Sequence, residues 1–213
     1  MRASVGVFVI VEAMRTHAPK YFVGIDEVGR GPLAGPVAVG ALAATPAVVR
    51  QFRSIKESKQ LSPEARERWY ARISLARVDG LRFAASFVSA NVIDRKGIVF
   101  AIRLALMRSL KKLKVSPNSC TVLLDGGLYA PKAYERQKTI IHGDAKKTVI
   151  AMASVVAKVL RDRKMVRLDK KYPHYGFRAH KGYGTKAHYR ALKKHGFSPF
   201  HRRSFLKKYK VEP

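Results

Sequence analysis

Cysteine is almost absent from this sequence: Cys120 stands alone among 213 residues. One thiol closes no internal disulfide and builds no cysteine-rich zinc site. Set in the apolar run CTVLL, Cys120 reads as a small buried residue. Long apolar runs are missing as well. No stretch approaches the roughly 20 residues that a membrane-crossing helix needs, so no membrane partner is expected. The N-terminal MRASVGVFVIVEAMRTHAPK follows Arg2 with apolar Val5 to Val11, a pattern shared with signal peptides. That apolar segment is short, Glu12 interrupts it, and no clean small-residue cleavage site follows. The expectation is a cytoplasmic protein with an N-terminal extension over residues 1–20 and Met14 as an alternative start. Neither an internal repeat nor a low-complexity linker is visible, so residues 21–213 read as one domain with a basic C-terminal helical region.

Negative charge is the other scarcity. Asp and Glu total 14 against 43 Lys and Arg, a net charge of +29. This excess is larger than solubility requires and implies a polyanionic partner, nucleic acid before an acidic membrane surface. Adaptation of a whole proteome to its environment is the plainer explanation, and it would leave fold and chemistry unaffected. Hydrophobic residues still make up 47% of the chain, enough for a real core.

YFVGID and PVAVGALAA read as strands joined through a Gly/Pro turn into a hairpin. Ser62 as N-cap, Pro63 in the first helical position and Glu64 at the positive end open a helix that runs to Ile73. LRFAASFVSA is a third strand. The spacing of Ile93, Ile98, Ile102, Ala105 and Leu106 predicts one long helix over 91–113, with Gly97 inside it. A fourth strand ends at Asp125 and a fifth, KTIIHGD, near Asp144. Residues 145–172 read as a long helix, small and apolar on one side and basic on the other. The loop HYGFRAHKGYGT, the helix KAHYRALKKHG and a basic tail complete the chain. Strands first, then strands alternating with helices, suggest an α/β sandwich around a mixed sheet.

Four of the scarce acids fall at strand ends or at a strand-to-helix junction: Asp26, Glu27, Asp125 and Asp144. In VGID, Val23 and Ile25 share one face, which puts Asp26 on the other with Gly24. Glu27 returns to that side only if the strand has ended, and the following GRG permits such a redirection. Four converging carboxylates repel one another unless cations lie between them. Two divalent ions about 4 Å apart, clamping a phosphodiester, use such a cluster. Oxygen ligands without His or Cys favour Mg²⁺ or Mn²⁺ over Zn²⁺. Taken singly, each acid has a plainer role. Asp125 before glycine suits a turn, Asp144 suits a helix N-cap, and Asp26 and Glu27 could pair with the abundant lysines.

GIDEVGRGPLAGPVAVGA closely resembles the first signature of ribonuclease HII, and KESKQLSPEARE resembles the second. LLDG, GDAKKTVIAMASVVAKVLRDRKM, YGFRAHKGYGTKAH and GFSPFHRRSF follow in the family's order, so the resemblance runs from Tyr21 to Phe205. It implies a ribonuclease H-like α/β fold: a mixed central sheet of about five strands, flanked by helices, with a helical C-terminal part. It also implies an endonuclease that cuts the RNA strand of RNA–DNA hybrids and nicks duplex DNA 5′ to an embedded ribonucleotide. The ends left are a 3′-hydroxyl and a 5′-phosphate, in the service of ribonucleotide excision repair and DNA replication. Two divalent ions, Mg²⁺ or Mn²⁺, are the implied cofactors, and a monomer is expected. A sliding-clamp partner is left open, with only Phe205 and Tyr209 to suggest one.

Position by position, Asp26, Glu27, Asp125 and Asp144 match the family's metal-binding, catalytic acids. Gly29, Arg30 and Gly31 match the loop whose backbone reads the ribose 2′-hydroxyl. Tyr183 matches the tyrosine that stacks on the junction sugar, and Lys59 a lysine that contacts phosphate. His180 and Lys181 divide evenly between phosphate contact and plain basic surface. Asp162 is expected to pair with neighbouring arginines. Glu57 and Gln60 replace the usual Asp and Lys, and Gly97 replaces Asn. Ribonuclease HIII, the nearest enzyme alternative, carries an extra N-terminal domain and a lysine where Arg30 stands. A non-enzymatic nucleic-acid binder would have no reason to hold four acids against its polyanion.

Overall fold

The structure, a computed structural model, describes residues 19–207. The expected extension over residues 1–20, apart from Pro19 and Lys20, therefore lies outside the described residues, as do Met14 and Tyr209.

The alternating and small-residue runs form five strands: β1 (Tyr21–Val28), β2 (Val37–Ala44), β3 (Arg82–Val88), β4 (Cys120–Asp125) and β5 (Gln137–Ile140). Their order in the sheet is β3-β2-β1-β4-β5. β1 and β2 form the expected antiparallel hairpin, and β3 adds antiparallel to β2. On its other edge β1 runs parallel to β4, from Tyr21 opposite Cys120 to Ile25 opposite Leu124, and β5 runs parallel to β4. The sheet is mixed, as expected.

Eight helices appear among the described residues: α1 (Pro46–Gln51), α2 (Pro63–Leu75), α3 (Ala90–Lys96), α4 (Ile98–Leu113), α5 (Gly143–Lys146), α6 (Thr148–Lys171), α7 (Phe177–His180) and α8 (Lys186–His195). α4 covers one face of the sheet, packing Ile102, Ala105, Leu106 and Leu110 with Val23, Ile25, Val39, Val122 and Leu124. α6 covers the other with Val149, Ile150, Ala153 and Val156, joined by Ile73 of α2. A third cluster, including Leu33, Met165, Leu168, Phe177 and Leu192, fixes the C-terminal part to α6 and to the loop after β1. α6 lies unusually close to the sheet. A Cβ at Gly24 would stand 2.0 Å from the Val149 carbonyl oxygen, and one at Gly40 2.5 Å from that of Ala153. No helix among the described residues is long and apolar enough to cross a membrane.

α2 starts as the sequence indicates: the Ser62 hydroxyl accepts from the Ala65 amide at 3.2 Å, with Pro63 next. Cys120 is buried, as expected. Four expectations are corrected. The single helix over 91–113 is two helices, because Gly97 takes φ 83°, ψ 160°, a region open almost only to glycine. The long helix does not begin at 145: Lys147 is extended (φ −133°, ψ 113°) and separates the one-turn α5 from α6. β5 ends at Ile140, so Asp144 sits on α5 and caps neither strand nor long helix. β1 also continues past Asp26, with Glu27 paired to Val39 and Val28 to Ala38.

The atom facing Gly24 is backbone and cannot swing aside. Gly24→Ala is therefore expected to destabilise the protein by about 3 kcal/mol, read by chemical denaturation. Gly31→Ala, with nothing within 4 Å of the added carbon, is expected to stay within about 0.5 kcal/mol of the parent.

Candidate active site

The parallel edge between β1 and β4 builds the centre of the site. One step beyond the paired Ile25 and Leu124 stand Asp26 and Asp125, neighbours across that edge. Strand alternation turns both toward the face covered by α6, the side that also carries Phe22, Gly24 and Leu123. The predicted orientation of Asp26 is thus the one found. Asp26 is buried. Loss of water pushes its pKa up to about 8, and the charges of Asp125, Glu27 and Asp144 push the same way. The Ser154 hydroxyl of α6 opposes this by hydrogen bonding to the carboxylate. Ser154 Oγ also lies 2.7 Å from Ser58 Oγ. This places a second buried hydroxyl behind the one that meets Asp26.

Asp125 ties the next element down: its Oδ1 accepts from the Gly143 amide at 2.6 Å. That bond brings α5, and with it the buried Asp144, to the end of β4. The Asp144 pKa is raised by burial and then by Asp125 and Glu57, while Lys59 lowers it. The Glu27 pKa is raised by burial, against the opposing charge of Arg30. Arg30 Nη1 lies 3.4 Å from Glu27 Oε1, on a side chain that is 60% exposed, so this pair adds little stability. All four acids form one electrostatically coupled group, and Lys59 reaches it at Asp144. Glu57, noted in the sequence only as a departure, belongs to the same surroundings.

The GRG loop follows this group directly in the chain, and Tyr183 lies beside the loop. Gly29 has φ 87°, and a Cβ there would stand 2.1 Å from Arg161 Nε, so only glycine fits. The Gly182 carbonyl accepts from the Leu33 and Ala34 amides at 2.8 and 3.2 Å, which docks Tyr183 next to the loop with 44% of its surface exposed. The Tyr183 carbonyl is held by His188 Nδ1 at 2.8 Å, and His188 Nε2 lies 3.0 Å from His201 Nε2. His201 Nδ1 in turn accepts from the Ser198 amide at 2.9 Å. The one neutral arrangement satisfying every partner has His188 donating from Nδ1 and His201 donating from Nε2. Burial lowers both pKa values to about 4.

Both ring nitrogens of His180 serve the turn itself, Nε2 on the Tyr175 carbonyl and Nδ1 on the Gly182 amide. The Lys181 ammonium folds back onto the Arg178 carbonyl. Asp162 pairs with Lys158 at 2.9 Å, rather than with the arginines expected. A cleft of about 730 Å³ between α2 and α6 is lined by His180, Lys181 and Tyr183 together with Lys158, Arg163 and Arg167. The four acids lie outside it. Sequence reasoning passed over Ser58, Ser154, His188 and His201. Ser154 carried a signal, a lone hydroxyl in the apolar VIAMASVVA.

Among the described residues no three His, Cys, Asp or Glu side chains are already gathered as metal ligands. The donor set nevertheless fits a hard divalent cation: all oxygen, mutually repelling, with Asp26 held at high energy by its neighbours.

The model of the family described as Ribonuclease HII matches residues 23–208. The chain belongs to the ribonuclease HII family. Ribonuclease HII of Coxiella burnetii (strain Dugway 5J108-111) is 40% identical over 191 residues, which cover 90% of this chain and 91% of that protein. The solved ribonuclease H2 from Pyrococcus horikoshii OT3 superposes with a TM-score of 0.68 at 25% identity, covering 88% of this chain and 96% of its own. A structure of Bst-RNase HIII in complex with Mn²⁺ shares the fold, with a TM-score of 0.64 at 21% identity. It covers 94% of this chain but only 74% of that one. As a member of the ribonuclease HII family the chain is a hydrolase, an endonuclease of the ribonuclease H kind acting on RNA–DNA.

Two outcomes follow for stability. Between the ordinary carboxylate range and pH 8, folded Asp26 keeps a proton that the unfolded chain has released, so stability falls as pH rises. Asp26→Asn in EDTA is expected to gain about 1–3 kcal/mol at pH 8 and less at pH 5, measured by denaturant titration. His188 and His201 act in the opposite sense. Unfolded histidine takes up a proton near pH 6.5 and the folded pair only near pH 4. The stability these two contribute is therefore expected to be lost as pH falls through that window, read as a melting-temperature gap between parent and His201→Gln that narrows from pH 7 to pH 4.

Proposed function

We propose that this chain is a metal-dependent nuclease that hydrolyses the RNA strand of RNA–DNA hybrids and nicks duplex DNA on the 5′ side of an embedded ribonucleotide. The products are a 3′-hydroxyl and a 5′-phosphate. The observation that carries this reading is the coupled group of Asp26, Glu27, Asp125 and Asp144 in a chain of net charge +29. Such a group is unfavourable unless cations offset it, and the surrounding basic surface suits the polyanion those cations would act on. Divalent ions, Mg²⁺ or Mn²⁺, supply an activated water and stabilisation for the leaving 3′-oxygen when bound.

The chain's own residues do the rest. Asp26 and Asp125 hold fixed positions on adjacent strands, and the Ser58–Ser154 pair and the Gly143 amide keep their carboxylates oriented. Asp144 and Glu27 complete the ligand set from the two sides. The amides of Arg30 and Gly31, which have no acceptor among the described residues, donate to the 2′-hydroxyl that separates RNA from DNA. Tyr183 offers its exposed ring to the junction sugar. Arg30 and Lys59 meet phosphates and set register without reading sequence, whereas His180 and Lys181 are spent on the turn that carries Tyr183.

Asp125→Asn tests the assignment. It is expected to bind hybrid at least as tightly as the parent while cleavage falls at least roughly 100-fold, measured by gel shift and by single-turnover cleavage. Near-parent turnover would remove the carboxylates from the mechanism. Binding should also weaken linearly in log–log form with added salt.

A further inference from the structure

The block FHRRSF near the C-terminus matches the family, and its Arg202 belongs neither to the acid group nor to the lining of the cleft. Arg202 is completely buried and makes no ion pair among the described residues. Its whole fork is spent on carbonyls: Nε on Gly35 at 3.0 Å, Nη1 on Arg30 at 2.9 Å and Nη2 on Gly29 at 2.7 Å. Arg161, equally buried, grips the adjoining chain by the carbonyls of Pro36 and Lys181 at 3.0 and 3.1 Å. Burying a guanidinium without a counter-ion is unfavourable. Desolvation and the charge of Arg161 outweigh the opposing charge of Asp94 and lower the Arg202 pKa to about 9, which still leaves it charged at neutral pH. A cation held at such a cost invites a functional explanation.

Peptide geometry supplies one. In a trans peptide the C=O and the following N–H point in opposite directions. The Gly29 carbonyl shares its peptide with the Arg30 amide, and the Arg30 carbonyl with the Gly31 amide. Holding both carbonyls inward therefore turns both amides outward, where Gly31 faces open space. The positive charge on the carbonyl side also polarises each peptide and strengthens its N–H as a donor.

We propose that Arg202 is the positioning residue for ribose recognition: it fixes and polarises the two peptides whose amides meet the 2′-hydroxyl. The inference rests on the loop reading given above and adds the group that sets the loop. It also ties sugar selection to the docking of the C-terminal segment. Asp94 of α3 holds that segment by accepting from the Arg203 and Ser204 amides, both at 3.0 Å, and from the Ser204 hydroxyl at 2.6 Å. His201 pairs with Ala34 from the other side.

The test is a ratio of affinities in the Asp125→Asn background, for a DNA duplex with one ribonucleotide against the same duplex in all-DNA form. Arg202→Lys keeps the charge but cannot span three carbonyls. It is expected to lower the ribonucleotide preference roughly 5- to 10-fold while all-DNA affinity stays within about twofold. Thermal unfolding is recorded alongside. If Arg202→Lys lacks a cooperative transition, Arg202→Gln is read instead. Leu110→Ala, which removes buried packing on the sheet face covered by α4, is expected to lose stability yet keep the parent's ratio. An unchanged ratio in a folded Arg202 variant overturns the inference, as does an equal fall in Leu110→Ala. A background protein that itself shows no ribonucleotide preference overturns the loop reading beneath it.

Discussion

The contact on which the rest depends is the pressing of α6 against β1 and β2, tolerated only because residues 24 and 40 lack side chains. It sets the depth at which everything else sits. The N-terminal half of α6 brings Ser154 under Asp26 and seals one face of the sheet with small residues. The C-terminal half carries Arg161, Met165 and Leu168, which hold the loop after β1 and the C-terminal part. A helix one side-chain layer farther away would leave the acids wetter and the GRG loop unsupported.

Two kinds of buried charge then oppose each other. On one side are carboxylates gathered against their own repulsion, with Asp26 held near pKa 8. On the other are two buried guanidiniums whose hydrogen bonds go to backbone carbonyls. Neither arrangement favours folding, and both are sustained by the apolar clusters on the two sheet faces and under the C-terminal part. Stability is drawn down where acids and peptide donors are placed, a frequent pattern at functional sites. Tyr183 is managed differently, by a neutral histidine pair that satisfies its carbonyl without adding charge.

Much of this was legible in the residues because it is local. Period-two alternation placed Asp26 opposite Val23 and Ile25, and Ser62-Pro63 marked the start of α2. Four acids at element ends in a base-rich chain pointed to one chemistry, and the ordered blocks from Tyr21 to Phe205 pointed to one family. What escaped was local conformation that apolar spacing does not encode. Gly97 breaks a helix whose hydrophobic pattern runs straight through it, and Lys147 separates α5 from α6 within a pattern that reads as one helix. Glu27 remains on β1 although the following glycines would permit an earlier end. Contacts between distant residues and backbone also escaped: Ser58 with Ser154, and Arg202 with Gly29, which is 173 positions away. A guanidinium that binds carbonyls leaves no period and no complementary residue type to find.

The most direct measurement is cleavage of an end-labelled DNA duplex holding one ribonucleotide, with Mg²⁺, with Mn²⁺ and with EDTA, the products sized to the nucleotide. The expected result is a nick on the 5′ side of the ribonucleotide that appears with a divalent ion and vanishes with EDTA. Cleavage indifferent to EDTA, or tight salt-sensitive binding with no cleavage under any condition, would contradict a carboxylate-centred nuclease built to read the 2′-hydroxyl.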